Sequence, residues 1–347
     1  MLSTTSQVLV RNKEQFAEGR WLFVNPPEAD IFSALDNPNI FGFHQFYDVF
    51  QQCPKNNKHL FSAHYPVALN HNQNPEKPNS ELFDGAVIYM PKSKEHAALL
   101  IANMAACVKP SGNIFLVGEN KSGIKSADKL FAKVSQRINK IDSARHCSLY
   151  CAYIEEKHSF DITKFVQYKD IQVNDVVCKI AFLPGIFNTG ALDPASQLLI
   201  ENLPEKLTGK VLDFASGSGV IGCFAAKINP EITLTLCDVS ALATYCSELS
   251  LLANNLKANV IASNGLAEIS HKFNTVLTNP PFHTGIKTDY SVTDKFIKEV
   301  KFALLPKGTL MLVANRFLPY PDIIKGSLPM VSTVAQTSKF NLYRAQK

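Results

Sequence analysis

Asp213, Asp238, Asn264 and Asn279 each stand at or near the end of a short apolar run, and the four runs follow one another through residues 211–281. The first, VLDFASGSGVIG (211–222), passes from an apolar strand through a loop of small residues into a helix-like segment. Gly217 and Gly219 let a backbone turn sharply and approach a ligand, and helix N-terminal amides favour a carboxylate or phosphate. The second, ITLTLCDVS (232–240), puts Asp238 where a carboxylate can accept both hydroxyls of a ribose. The third, NVIASNGL (259–266), ends in Asn264 and Gly265, and the fourth runs into NPPFH. Taken singly, an Asp after a strand is more often a helix cap than a ligand. Four polar strand ends in series favour a nucleoside-cofactor site, because open α/β sheets bind ligands outside the carboxyl ends of their strands.

Positioning such residues requires a parallel sheet, and the chain is long enough for two. It has 347 residues, 46% of them apolar, a formal charge of +5 and no apolar run near the roughly 20 residues of a membrane span. The N-terminus lacks the basic-then-apolar pattern of a secretory signal, so a cytoplasmic protein without a membrane partner is expected. The eight cysteines form no CxxC pair, several lie in apolar segments as reduced thiols do, and no metal is expected. FDGAVIYMP (83–91) matches FNTVLTNPP (273–281) as an apolar run followed by a helical stretch. KPSGNIFLVGEN (109–120) matches LPKGTLMLVANR (305–316), and GRWLFVNPP (19–27) matches GKVLDFASG (209–217). Two copies of one α/β unit are the economical reading, with domains at 1–165 and 179–347 and a linker at 166–178.

That register separates the two NPP tripeptides. The first, Asn25–Pro27, falls opposite the glycine-rich loop and reads as a turn after a strand, while Tyr89 faces Asn279.

The loop and the tripeptide together point away from a dinucleotide. Dinucleotide enzymes favour GxGxxG, whereas this loop reads Asp-x-Ala-x-Gly-x-Gly and is followed downstream by Asn-Pro-Pro-Phe. The pattern resembles the class I S-adenosylmethionine-dependent methyltransferases that modify exocyclic or amide nitrogens. MPKSKEHA (90–97), VGENKSG (117–123), DSARHC (142–147), LPGIFNTGALDPASQLL (183–199), TLCDVSA (235–241), NPPFHTG (279–285) and ANRFLPYPD (314–322) narrow this. Across almost the whole chain the sequence resembles the bacterial 16S rRNA guanine-N2 methyltransferases. It departs from the pattern at Ala215, where the first glycine is usual, and at Ser216.

The resemblance implies two tandem Rossmann-like class I methyltransferase domains, the N-terminal one degenerate. It implies N2 methylation of a guanosine in 16S rRNA, expected on the assembled 30S subunit and by a monomer. Asn279, through its side-chain carbonyl, and the Pro280 backbone carbonyl would each accept an amine N–H, and Phe282 would stack on the base. His283 touches RNA or packs, two readings of equal weight. Asp213, Ala215, Gly217, Gly219, Asp238, Asn264, Gly265 and Asn279 would hold the cofactor, with Gly190 and Asp193 closing over it.

In the first half Phe23 stands where Asp213 stands and Tyr89-Met90 replaces Asn279-Pro280, so no cofactor is expected there. Lys121, Lys125, Lys129, Lys133 and Arg137 recur every four residues, and residues 109–145 hold eight basic and three acidic side chains. A helix over 126–141 is expected, with Leu130, Val134 and Ile141 buried and Lys129, Lys133 and Arg137 available to RNA phosphates. A solvated lysine face is the competing reading. Two further functions compete with rRNA methylation: protein glutamine-N5 methylation, which uses the same tripeptide, and a non-catalytic assembly factor.

Overall fold

The computed structural model describes residues 2–67, 82–186, 191–280 and 291–347, with the Ser291 side chain excepted. The chain divides into two units, Met1–Phe165 and Val166–Lys347.

The first unit contains α1 (Thr4–Arg11), β1 (Trp21–Val24), α2 (Ile31–Ala34), β2 (Ile40–His44), α3 (Tyr47–Phe50), β3 (His59–Phe61) and β4 (Phe83–Tyr89). It continues with α4 (Lys94–Cys107), β5 (Val108–Glu119), α5 (Ala127–Phe131), β6 (Ile138–Ala144) and β7 (Cys147–Tyr153). The second unit contains β8 (Gln167–Val173), β9 (Val176–Phe182), α6 (Pro194–Glu201), β10 (Lys210–Phe214), α7 (Val220–Ile228), β11 (Thr233–Asp238), α8 (Ala241–Ala253) and β12 (Asn259–Ala262). It ends with β13 (Phe273–Thr278), α9 (Ser291–Ala303), β14 (Leu304–Asn315), α10 (Tyr320–Lys325), β15 (Met330–Gln336) and β16 (Phe340–Gln346).

The two sheets have one topology. Their orders, β3-β2-β1-β4-β5-β7-β6 and β12-β11-β10-β13-β14-β16-β15, match position by position. In each, the first five strands run parallel, and the sixth in order, β7 or β16, runs antiparallel to both of its neighbours. Small irregularities repeat as well. Ser111 (φ 74°) and Lys307 (φ 62°) occupy the same left-handed place in the two Pro-x-Gly turns, and Asn25 (φ 52°) and Ala215 (φ 57°) each follow the central strand. Phe23 pairs with Val87 and Asp213 with Leu277, so Tyr89 is the positional counterpart of Asn279.

Both faces of the second sheet are covered, which is why its central strands are nearly continuous apolar runs. One face buries Val211, Leu236, Leu277 and Met311 beneath α6 and α7. The other buries Leu212, Val276 and Leu310 with Phe296, Ile297 and Val300 of α9. There Phe214 and Phe296 stack with centroids 3.9 Å apart.

Two expectations fail. Residues 166–178 do not form a linker: β8 and β9 pair as an antiparallel hairpin, and Ile171, Val173 and Cys178 join the core of the second unit. The helix expected over 126–141 is only α5, and the chain then enters β6. Ser135 Oγ donates to Tyr153 O at 2.7 Å, and β6 pairs with β7, so sheet hydrogen bonds override the four-residue periodicity. Ile124, Ala127 and Phe131 are fully buried instead, Leu130 and Val134 are half-buried, and Ile141 is 38% exposed. Lys129, Lys133 and Arg137 are exposed but do not share one helix.

Candidate active site

The loop after β10 is built by backbone geometry that small residues tolerate. Ala215, Gly217 and Gly219 have φ of 57°, 56° and 76°, a region where a Cβ is costly. At Gly219 an added Cβ would lie 2.9 Å from Leu236 Cδ2 and 3.1 Å from Ser247 Oγ, so packing as well as dihedral selects glycine. At Gly217 an added Cβ would meet no atom of the described residues within 4 Å, and the same holds at Gly265 (φ 65°). Those two positions present bare backbone to open space, as a surface for close ligand approach requires.

Two carboxylates fasten this loop. Asp213 is fully buried, and its Oδ2 accepts from Gly222 N at 2.8 Å. It thereby supplies the cap that Gly219, at the start of α7, lacks. Its Oδ1 is buried and has no partner among the described residues. Burial, aided by the nearby Asp238 charge and opposed by the Gly222 bond, pushes the Asp213 carboxyl up to about 7. Asp238 Oδ2 accepts from Gly217 N at 2.9 Å and its Oδ1 from Ser240 N at 2.9 Å. Burial raises its carboxyl above the usual range, against those amide bonds.

Asn279 directly follows β13, beside the loop, because β10 and β13 are paired neighbours. Its Nδ2 donates to Asp193 Oδ2 at 2.7 Å and to Ser196 Oγ at 2.9 Å. That same Asp193 oxygen caps α6, accepting from Ala195 N and Ser196 N at 3.1 and 3.0 Å. With the amide nitrogen engaged by both partners, the side-chain oxygen Oδ1 is left buried and without a partner among the described residues. Pro280 is buried beside it.

Asp213, Ala215, Gly217, Gly219, Asp238, Asn264, Gly265, Asn279 and Pro280 therefore meet at the carboxyl ends of four adjacent strands. Asn264 is exposed there, while Ser263 forms the buried turn contact, its Oγ donating to Gly265 O at 2.9 Å. Gly190, Phe282 and His283 lie outside the described residues. Lys129, Lys133 and Arg137 belong to the first unit. Asp193, expected to close over the cofactor, is hydrogen-bonded to Asn279 and to the first turn of α6. Sequence reading missed Ser196 and also Ser247, whose Oγ donates to Gly217 O at 2.9 Å. The signal for the Asn279 anchor was DPAS (193–196), a capping residue followed by Pro at the first helical position.

The first unit repeats this arrangement with different side chains. Ser3 caps α1, and Ser6 Oγ shares a 2.8 Å hydrogen bond with Tyr89 OH where Ser196 meets Asn279. Asn25 is a left-handed turn residue whose Nδ2 donates to Gln45 Oε1 at 2.9 Å.

Family profiles divide the chain in the same way. The profile described as Methyltransferase small domain N-terminal matches residues 6–168, and that described as Methyltransferase small domain matches residues 177–344. A ribosomal RNA small subunit methyltransferase C from Pseudoalteromonas atlantica is 47% identical over 351 residues, covering 99% of each chain. The chain belongs to the ribosomal RNA small subunit methyltransferase C family. Its member from Alteromonas mediterranea is 40% identical over 99% of each chain, and one from Escherichia coli is 35% identical over 98% of this chain and 95% of its own. Among solved structures, the Thermus thermophilus 16S rRNA N2 G1207 methyltransferase in complex with AdoMet and guanosine is similar over 99% of this chain and 92% of its own. Its TM-score is 0.81 at 17% identity, which establishes the shared two-unit fold of the methyltransferase C family.

Proposed function

We propose that this chain transfers a methyl group from S-adenosylmethionine to the exocyclic N2 of a guanosine in 16S rRNA. Its target would be the nucleotide equivalent to the G1207 of the Thermus enzyme, on the assembled 30S subunit. The observation that carries this reading is the buried, unpartnered Asn279 Oδ1, held in place through its own amide nitrogen.

The described residues fit the cofactor. Gly217 and Gly265 offer bare backbone to open space, Asp238 stands where a ribose would be held, and the unpartnered Asp213 Oδ1 lies behind the loop. Bound there, S-adenosylmethionine supplies an electrophilic methyl on a sulfonium that needs no further activation. Guanine N2 is a weak nucleophile because its lone pair is delocalised into the ring. Asn279 Oδ1 accepts one amine N–H and the Pro280 carbonyl the other, which turns the lone pair toward the methyl and concentrates density on nitrogen. The new N2–CH3 bond forms as the S–CH3 bond breaks, and the amine proton leaves to water. Phe282 stacks on the extruded base, as enzymes acting on bases require.

The first unit, with Phe23 and Tyr89 at the counterpart positions, would position RNA through exposed Lys129, Lys133 and Arg137. The chain is proposed to act as a monomer in the cytoplasm, a setting that suits its eight free cysteines. Among the described residues no helix is long and apolar enough to cross a membrane.

The test is methyl transfer from labelled S-adenosylmethionine to unmodified 30S subunits, naked 16S rRNA and a peptide-release factor, with wild type and Asn279→Ala. N2-methylguanosine in digested 30S RNA, absent with the variant, is the expected result. Label in the release factor would replace this reading with glutamine methylation.

A further inference from the structure

His44, Cys53 and His59, scattered over sixteen residues of sequence, converge at the edge of the first sheet. His44 ends β2, Cys53 follows α3, and His59 opens β3. Their ligating atoms all lie within 4.8 Å of one another. His44 Nε2 is 3.3 Å from His59 Nδ1 and 3.7 Å from Cys53 Sγ.

Those separations can be compared with a metal's. With bonds of about 2.0–2.1 Å to imidazole and about 2.3 Å to thiolate, a tetrahedral centre spaces two nitrogens by about 3.3 Å and a nitrogen and sulfur by about 3.6 Å. The observed edges have those lengths.

Gly42 makes the approach possible. It pairs with His59 in register and precedes His44 by two residues, so all three share one face of the sheet. A Cβ there would overlap both His44 Nε2 and His59 Nδ1. The surroundings are aromatic: Phe32 meets His59 edge-on at 4.6 Å, and Phe50 lies 5.8 Å from His44. His44 and Cys53 are buried and His59 is half-buried, which leaves a route for an ion from solvent.

The position has a history in the fold. Phe23 pairs with Gly42 and Asp213 with Leu236, so His44 is the positional counterpart of Asp238. The first unit carries an imidazole where the second has the carboxylate of Asp238.

We propose that His44, Cys53 and His59 form a zinc site that fastens the three-residue edge strand β3 and the segment after α3 to β2. A mixed nitrogen and sulfur set of this size suits Zn2+ among first-row divalent ions. On binding, the Cys53 thiol releases its proton to water, one S–Zn and two N–Zn bonds form, and water completes the fourth position. The competing arrangement is a metal-free cluster in which the two imidazoles and the thiol only hydrogen-bond.

The full chain, stripped with a chelator, is titrated with Co2+ alone as a spectroscopic probe and then with Zn2+. One equivalent of Co2+ should produce a thiolate-to-cobalt band in the near ultraviolet with visible bands of tetrahedral intensity, bleached by one equivalent of Zn2+. Zn2+ should also raise the melting temperature. Cys53→Ser should abolish the thiolate band, and Gly42→Ala should weaken binding at least tenfold while keeping all eight cysteines. A folded wild-type chain that gives no thiolate band, or a band that survives Cys53→Ser unchanged, overturns the site; the wild-type spectrum decides even where a variant fails to fold.

Discussion

Asp193 Oδ2 accepts simultaneously from the Asn279 side-chain amide and from the first turn of α6, joining the end of β13 to the start of a helix 86 residues earlier in the chain. The consequence lies at Asn279 Oδ1, which has no partner among the described residues and is the proposed acceptor of the substrate amine. Removing this oxygen should cost the reaction and little else. Asn279→Ala is expected to lower kcat on 30S subunits by about 100-fold or more, the scale of losing a positioned transition-state contact, while S-adenosylmethionine affinity changes by less than about threefold. Single-turnover kinetics with calorimetric binding separates the two. Equal losses in both would assign Asn279 to cofactor binding alone.

Asp193 acts through Asn279, and its capping and positioning roles can be separated. Asp193→Ala should lose the cap, about 1 kcal/mol, and lower kcat at unchanged cofactor affinity. Asp193→Ser retains a capping oxygen but is too short to hold the Asn279 amide in the same place, so stability should recover while kcat stays low. Recovery of both by serine would mean that Asp193 matters only as a cap.

The two loop glycines should fail differently. Gly217→Ala meets open space and pays only for its left-handed dihedral, about 1 kcal/mol, but a methyl group then projects into the proposed cofactor surface. Gly219→Ala combines the dihedral with crowding against Leu236 and Ser247 and should destabilise by about twice as much. Melting temperatures should fall more for Gly219→Ala, and cofactor affinity should fall for both.

Asp213 should make stability fall with rising pH. Its carboxyl ionises near 3.8 when unfolded and only about 7 when folded, so between those values the folded chain holds the extra proton. Stability from this group is therefore full below about pH 4 and is lost as pH rises through 7. Asp213→Asn keeps an oxygen for Gly222 N and cannot ionise. Melting temperatures measured from pH 4.5 to 8 should decline more steeply for wild type than for Asp213→Asn, and parallel curves would refute the assignment.

Lys129 and Lys133 should matter to RNA binding more than Arg137. Arg137 is already engaged, 4.6 Å over the Tyr153 ring and 3.8 Å from Glu155. If each lysine neutralises one phosphate, Lys129→Ala with Lys133→Ala should reduce the slope of log affinity against log salt by about 1.4–1.8 in total. An unchanged slope would remove the first unit from RNA docking.

Sequence alone determined the repeat, the parallel sheet and the strand ends where the candidate site lies, because buried parallel strands must be apolar runs and left-handed turns must be small residues. VLDFASGSG and NPP carry those constraints within a few adjacent positions, where they can be read without coordinates. The positional equivalence of Tyr89 and Asn279 was legible for the same reason: both copies keep one strand register. Only the tertiary structure decided what depends on distant partners. Residues 126–141 carry a helical period, yet pairing with β7 makes their end a strand; residues 166–178 look like a junction, yet their apolar side chains complete a core. The Asp193–Asn279 bond and the His44, Cys53 and His59 cluster join residues with no motif spacing. Their proximity is created by crossover connections that bring separate strand ends together, and nothing local in the chain encodes it.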